Sequence, residues 1–153
     1  MLRYRFLPFA LALLIYAMPA QADQSATAPL EIWKSPSCGC CGKWAEHMRQ
    51  NGFQVKTKDV AFGILAQIKR QAGIASKHAS CHTAKIGGYV IEGHVPAEDV
   101  ARLLKTRPDA IGLAVPGMPI GSPGMEVGDE REPYEVLLVK KDGSTEVFSR
   151  RGQ

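Results

Sequence analysis

Residues 30–50 read LEIWKSPSCGCCGKWAEHMRQ and join three patterns in one run. Leu30–Trp33 alternates apolar and polar residues, which predicts a β-strand. Ser35-Pro36-Ser37 then breaks the strand, and three cysteines follow within the next four residues. From there the apolar residues recur at the spacing of one helix face, at Cys41, Trp44, Ala45 and Met48. The run therefore predicts a strand and a helix that are joined by a cluster of thiols.

The chain downstream continues with strand, helix, hairpin and helix. Phe53–Thr57 alternates as a second strand, and a second helix ends at Gly73. Two short strands around Gly87-Gly88 predict a hairpin, and Pro96 suits the first position of a third helix. The apolar residues that mark these helices are Phe62, Leu65, Ile68 and Ala72 in the second, and Val100, Leu103 and Leu104 in the third.

The C-terminal part reads as a Gly/Pro-rich loop, Ala114–Gly128, followed by a hairpin. The hairpin pairs Tyr134–Val139 with Thr145–Phe148 around a turn at Lys141-Asp142-Gly143. This order of elements predicts an α/β protein with a thioredoxin/glutaredoxin-like mixed sheet, flanking helices and an added C-terminal β-hairpin. We expect residues 30–149 to form a single domain.

The N-terminus has the pattern of a secretory signal peptide. Arg3 and Arg5 form a basic start, Phe6–Ala20 is almost wholly apolar, and Ala20-Gln21-Ala22 offers small residues for cleavage. The apolar run is shorter than a membrane span requires. Residues 1–22 are therefore predicted to be removed and residues 23–29 to form a flexible leader. The mature protein would be exported, with no membrane span.

Composition excludes several classes of function. The chain has 19 Lys and Arg against 15 Asp and Glu, and its basic residues are scattered in pairs. No aromatic residues interleave a basic stripe, so nucleic acid is not an expected partner. We find no nucleophile–base–acid set for hydrolysis, and we predict no catalytic residue.

The four cysteines are Cys38, Cys40, Cys41 and Cys81. In an oxidising compartment their default state would be two structural disulfides. Cys40 and Cys41 are neighbours, and bridging them requires a strained ring. Cys38 and Cys41 can close, but Cys40 and Cys81 must then pair or stay free. Two structural disulfides are therefore a poor fit, and the remaining uses are metal binding or thiol–disulfide exchange.

The expected fold brings the fourth cysteine to the other three. In a thioredoxin-like fold the C-x-x-C spacing lies where the first strand meets the first helix, as Cys38 and Cys41 do here. The segment before the hairpin faces that junction, and here it carries Cys81 and His82. We therefore predict that these two side chains point toward the cluster.

Thiolate and imidazole together suit zinc and copper(I). Crowded thiolates can bridge several copper(I) ions, so a multinuclear centre is one possibility. The tripeptide Pro-Gly-Met occurs twice in the loop, ending at Met118 and Met125. Because thioethers are soft ligands, these methionines favour copper over zinc.

Four segments resemble the CopG-type copper-resistance proteins. They are Ser37–Gly42, Ser80–Ala84, Gly88–Pro96 and Gly112–Pro119. The resemblance implies a thioredoxin-like fold, a periplasmic location and copper handling. It also implies metal ligation by Cys38, Cys40, Cys41, Cys81 and His82, with Met118, Met125 and His94 as further motif members.

Two other functions stay open. The C-x-x-C spacing would also suit a thiol–disulfide oxidoreductase that uses Cys38 and Cys41, and the cluster would also suit a zinc-stabilised structural module. The expected partners are copper ions and other periplasmic copper-handling proteins. By position alone, His94 favours a surface or capping role, while His47 and His78 are expected on a solvated helix face and in a loop.

Overall fold

The structure is a computed structural model that describes residues 28–153. The predicted signal peptide and most of the leader lie outside the described residues. Within residues 28–153, the helices are all too short or too polar to cross a membrane.

A mixed sheet of seven strands and three α-helices make up the part of the chain that the structure describes. The strands are β1 (Leu30–Lys34), β2 (Val55–Asp59), β3 (His82–Ile86), β4 (Tyr89–Glu92), β5 (Gly112–Ala114), β6 (Tyr134–Val139) and β7 (Thr145–Arg151). The helices are α1 (Gly39–Gln50), α2 (Phe62–Gln71) and α3 (Ala97–Thr106), and a 3-10 turn covers Ser76–His78. This confirms a mixed α/β class.

The strand order is β2-β1-β3-β4-β5-β6-β7. The β1–β2 and β4–β5 pairs are parallel, and the other neighbours are antiparallel. The predicted C-terminal hairpin β6–β7 pairs with β5 and so extends the sheet. Asp99 on α3 also ties this hairpin down, because its carboxylate accepts hydrogen bonds from Ser149 and Arg151.

The two faces of the sheet carry different helices. Trp44 and Met48 of α1 share one core with Val100 and Leu103 of α3. On the opposite face, Lys69 of α2 forms a salt bridge with Glu92 of β4. Since successive side chains of a strand point to opposite faces, the strand residues divide between these two sides.

Several predicted details were wrong. The strand β5 lies where no strand was predicted, and it takes in Ala114, the first residue of the predicted loop. Strand β2 begins at Val55 rather than Phe53, and Pro96 is the N-cap of α3 rather than its first residue. Phe62 begins α2 as expected, but its side chain is 81% exposed instead of packed.

Candidate metal centre

The first three cysteines lie at the start of α1. The Cys38 N–H donates to Ser35 O at 3.1 Å, and this turn delivers Cys38 to the N-cap position. Cys40 and Cys41 then fall in the first helical turn. The Cys41 side chain is buried, whereas Cys38 and Cys40 are partly exposed. The helix start therefore holds three sulfurs at the edge of the core.

The fourth cysteine reaches the cluster through strand pairing. Strand β3 runs antiparallel to β1, with Lys34 opposite His82, so Cys81 arrives where β1 ends. Its Sγ lies 3.3 Å from Cys41 Sγ and 3.9 Å from Cys40 Sγ. The prediction that two distant segments bring their sulfurs together is confirmed.

The cluster is in an oxidised state. Cys38 and Cys41 form a disulfide, while Cys40 and Cys81 are free thiols. This is the pair whose closure the spacing permits, and the structure contains no second bridge among the described residues. The four sulfurs lie within 4.8 Å of one another, and reduction by two electrons and two protons would convert all four cysteines to thiols.

Two histidines complete the pocket around Cys81. Its Sγ lies 3.0 Å from His94 Nε2 and 3.4 Å from His82 Nδ1, and the two rings meet edge to face. The expectation of a surface or capping role for His94 was wrong, because its side chain is fully buried. Gly93 gives the backbone the conformation that leads into His94. Its φ is +72°, and a Cβ there would lie 2.6 Å from the Val115 carbonyl oxygen.

The orientation of His94 is set by a backbone carbonyl. Its Nδ1 lies 2.8 Å from Pro123 O, and because a carbonyl only accepts, Nδ1 carries the hydrogen. The Nε2 lone pair of the neutral ring therefore faces Cys81. A metal-binding histidine usually has this arrangement, with one nitrogen fixed by an acceptor and the other free for the ion.

His82 has a buried nitrogen without a partner. Its ring packs on Trp44 with centroids 4.4 Å apart, and its Nε2 has no hydrogen-bond partner. Buried polar atoms are nearly always paired, so this nitrogen is an exception. The other ring nitrogen, Nδ1, faces Cys81 and is the one placed to bind an ion together with that sulfur. The other orphan among the described residues is His78 Nε2, which lies outside both groups of candidate ligands.

Burial keeps this pocket neutral. It lowers the pKa of His94, and it lowers the pKa of His82 well below its ordinary value, with the His94 ring as a second cause. Burial, followed by the neighbouring Cys40, raises the pKa of the Cys81 thiol to about 12. A soft cation entering the pocket would therefore meet neutral imidazoles and displace a thiol proton.

The two Pro-Gly-Met tripeptides flank the centre. In the second, Pro123 holds His94, and Gly124 packs so closely on α1 that a Cβ would lie 2.7 Å from Cys40 O. In the first, the Gly117 N–H donates to Ala79 O, two residues before Cys81. Met118 is 51% exposed and Met125 is partly buried.

A second buried polar cluster lies directly behind the thiols. Glu92 is fully buried, and its carboxylate accepts from Lys69 Nζ at 2.6 Å, Thr83 Oγ1 at 2.7 Å and the Ser80 N–H at 2.6 Å. Local sequence patterns do not identify the partners of Glu92 or Asp99, because those partners lie on other elements. Glu92 connects α2 to the backbone next to Cys81 and so helps to fix that cysteine.

The two remaining histidines lie elsewhere. His47 on α1 is half-buried rather than solvated, and its Nε2 accepts the Ala97 N–H at 3.2 Å. His78 is buried in the 3-10 turn rather than exposed in a loop. Neither belongs to the two groups of mutually close ligand atoms, which are Cys38, Cys40, Cys41 and Cys81, and Cys81, His82 and His94.

Comparison with known proteins gives one family and two close structures. Residues 78–125 match the family described as "Protein of unknown function, DUF411". A structure titled "Copper resistance protein copG- Form 1" is 38% identical, with a TM-score of 0.77, over 82% of this chain and 98% of that one. The second, "Copper resistance protein copG- Form 2", is 40% identical, with a TM-score of 0.75, over 81% and 99%. No curated protein matches this chain.

Proposed function

This chain belongs to the CopG copper-resistance family, and from that premise we propose that it is a periplasmic protein that binds copper through its thiol–imidazole cluster. The ligands are the thiolates of Cys38, Cys40, Cys41 and Cys81 and the imidazoles of His82 and His94. Met118 and Met125 are candidate outer ligands. The protein sequesters copper or passes it on, and it has a thioredoxin-like fold with an added hairpin.

The observation that carries this proposal is the shared position of Cys81. Its sulfur belongs to a group of four sulfurs and to a group with two imidazoles, each with ligand atoms within 4.8 Å of one another. One tetrahedral zinc ion uses four ligands, and the two groups together hold six donors, Cys81 included, which is more than zinc needs. Bridging thiolates can instead hold several copper(I) ions, and the histidines keep copper(II) accessible.

Copper binding by all four sulfurs requires the reduced protein. The Cys38–Cys41 disulfide takes up two electrons and two protons to give two thiols, and each thiol loses its proton when the metal binds. Metal loading therefore depends on the redox state of this pair. In the oxidised state the ligands left are Cys40, Cys81 and the two imidazoles.

Anaerobic titration of the reduced protein with copper(I) against a chromophoric chelator tests the proposal. We expect Cys38→Ser and Cys41→Ser each to lose most of the copper(I) binding. His47→Gln is the matched control, because His47 lies outside both ligand groups, and it should titrate like the wild type. Unchanged stoichiometry in either cysteine variant would refute the proposal.

Thiol–disulfide exchange is a second candidate function, and one distance favours it. Cys81 Sγ lies 3.3 Å from Cys41 Sγ, where it could attack the disulfide, form a Cys41–Cys81 bond and release Cys38 as a thiolate. A pKa of about 12 for Cys81, however, leaves little of the attacking thiolate at neutral pH. Reduction of insulin by metal-free protein would favour an oxidoreductase. A rate that survives Cys40→Ser and Cys81→Ser assigns the exchange to Cys38 and Cys41, whereas a rate lost in Cys81→Ser assigns it to the attack by Cys81.

A zinc-stabilised structural module is the third possibility that the ligand set permits. Elemental analysis of protein from copper-supplemented cells distinguishes it. Copper in stoichiometric amounts supports the proposed function, whereas stoichiometric zinc without copper would favour the structural role.

A further inference from the structure

An apolar cavity of about 240 Å³ opens beside Cys81. Its lining is mostly apolar, and we refer to it as the Cys81 groove; the lining residues are Phe62, Leu65, Ala66, Ile74, Ala79 and Cys81, together with the polar residues Lys69, Arg70, Ser76 and Ser80. The groove lies between α2 and the segment that leads into β3. One proposed copper ligand therefore forms part of the wall of an apolar cavity.

Two large apolar side chains are exposed around this groove. Phe62 lines it and is 81% exposed. Gly117 hydrogen-bonds with Ala79 and Ser80, which both line the groove, and the next residue along the chain, Met118, is 51% exposed. Aromatic residues and methionine are enriched in protein–protein interfaces. An exposed apolar rim beside the proposed ligand is therefore a surface that fits a partner protein.

The charge of this surface is of one sign. Residues 60–80 contain three basic residues and no acidic one. Lys69 is paired with Glu92, while Arg70 and Lys77 are exposed. Asp59, just before this segment, pairs with Lys34. The complementary partner therefore carries acidic residues, which would speed the encounter.

We propose that the Cys81 groove is the docking site of a copper-carrying protein that inserts a methionine side chain from an acidic loop. This inference rests on the proposed copper-binding function. The cavity is smaller than the 300 Å³ or more of a typical small-molecule pocket. It suits one side chain, and methionine is both apolar and a soft copper(I) ligand.

Docking would place the incoming ion next to Cys81. The Cys81 Sγ–copper bond forms, the thiol proton passes to water, and the bond between copper and the partner's thioether breaks. Copper stays in the +1 state throughout, so the exchange needs no oxidant or reductant. From Cys81 the other sulfurs lie within 4.8 Å.

Stopped-flow transfer of copper(I) to the reduced protein tests this inference. The donor is a copper(I)-loaded synthetic peptide with methionines flanked by aspartates, and a second peptide has lysines in place of the aspartates. We expect Phe62→Ser and Arg70→Glu each to slow transfer from the aspartate peptide about tenfold, as the loss of an interface anchor does. The controls are Ile64→Ser, an apolar residue of the same helix that is 50% exposed, and Lys56→Glu.

Equilibrium copper(I) binding, measured separately with a chelator, should be the same in all variants, since none of the four residues is a proposed ligand. Slower transfer only in Phe62→Ser and Arg70→Glu supports the inference. Equal transfer rates in all variants, or equally fast transfer from the lysine peptide, overturn it and leave copper binding intact. A wild-type dimer that Phe62→Ser dissociates would assign the groove to a second copy and also overturn it. A wild-type protein that binds no copper at equilibrium refutes the proposed function itself.

Discussion

His82 and Thr83 are neighbours on β3, yet they point into two very different polar clusters. On the α2 face, Thr83 donates to Glu92, whose carboxylate also accepts from Lys69 and from the Ser80 backbone. On the α1 face, His82 joins Cys81 and His94 and keeps a buried nitrogen without a partner. One cluster is fully paired, and the other is incomplete.

This difference separates a structural cluster from a binding one. A fully paired buried network holds its elements in one arrangement, whereas an unpaired buried group costs free energy until a ligand arrives. Burial raises the pKa of Glu92, and the Lys69 ammonium and the hydrogen bonds act against that rise. In the thiol pocket, burial raises the pKa of Cys81 and lowers the pKa of His82, so both side chains are neutral in the absence of a metal ion. The comparison predicts that changes in the Glu92 cluster act on stability and that changes in the thiol–imidazole pocket act on equilibrium copper affinity.

Lys69→Met should have the largest effect, because it leaves the Glu92 carboxylate buried without its cation. We expect the free energy of unfolding of the reduced, metal-free protein to fall by about 3–5 kcal/mol. Urea denaturation measures it. The double variant Lys69→Met, Glu92→Gln should recover part of the loss, since it removes the charge as well. A single variant as stable as the wild type would contradict a structural role for this pair.

Cys81→Ser should act on copper instead of stability. Cys81 contributes to both ligand groups, so we expect copper(I) affinity to fall roughly 100-fold, which corresponds to about 2.7 kcal/mol. Competition with a chelator measures the affinity, and urea denaturation of the metal-free protein should show a change below about 1 kcal/mol. Wild-type affinity in this variant would remove Cys81 from the centre.

Thr83→Val and His82→Phe compare the two faces at adjacent positions. Thr83→Val removes a donor from the buried carboxylate and should cost about 2 kcal/mol of stability without a change in copper affinity. His82→Phe keeps an aromatic ring against Trp44 and removes the unpaired nitrogen, so stability should change by less than about 1 kcal/mol. Copper affinity should fall about tenfold. Lower copper affinity in Thr83→Val together with lower stability in His82→Phe would contradict the assignment of Thr83 to the structural cluster and of His82 to the copper site.

His47→Gln should have the smallest effect and concerns only pH. Burial lowers the pKa of His47, with Glu126 and Glu98 acting in the opposite direction, and its neutral Nε2 accepts the Ala97 N–H. The contribution of His47 to stability is therefore complete above the ordinary pKa of 6.5 and is lost as the pH falls through the lowered folded-state value.

The unfolding free energy of His47→Gln should depend less on pH between about pH 7 and about pH 5 than that of the wild type, by less than about 1 kcal/mol. Parallel urea titrations across this range test it. If the free energy of unfolding depends on pH in the same way in both proteins, the titration of His47 does not contribute to stability.

The sequence predicts the elements that depend on local patterns. The Gly87-Gly88 hairpin, the helix after the cysteines and the C-terminal hairpin follow from turn residues and periodicity, and their order brings Cys81 to the other thiols. Strand β5 was missed because three residues carry no periodicity. The burial of His94 and the partners of Glu92 depend on contacts between distant segments, which periodicity does not report. Phe62 fits a helix pattern, and such a pattern does not tell a buried face from an exposed one.

X-ray absorption at the copper edge, on reduced protein loaded anaerobically, tests the shared thiol–imidazole pocket most directly. We expect a first shell dominated by sulfur with a nitrogen contribution, and a decrease in sulfur coordination in Cys81→Ser. A shell of nitrogen and oxygen alone, or a wild-type spectrum unchanged in Cys81→Ser, would contradict a copper centre in which Cys81 joins the sulfurs of α1 to the two imidazoles.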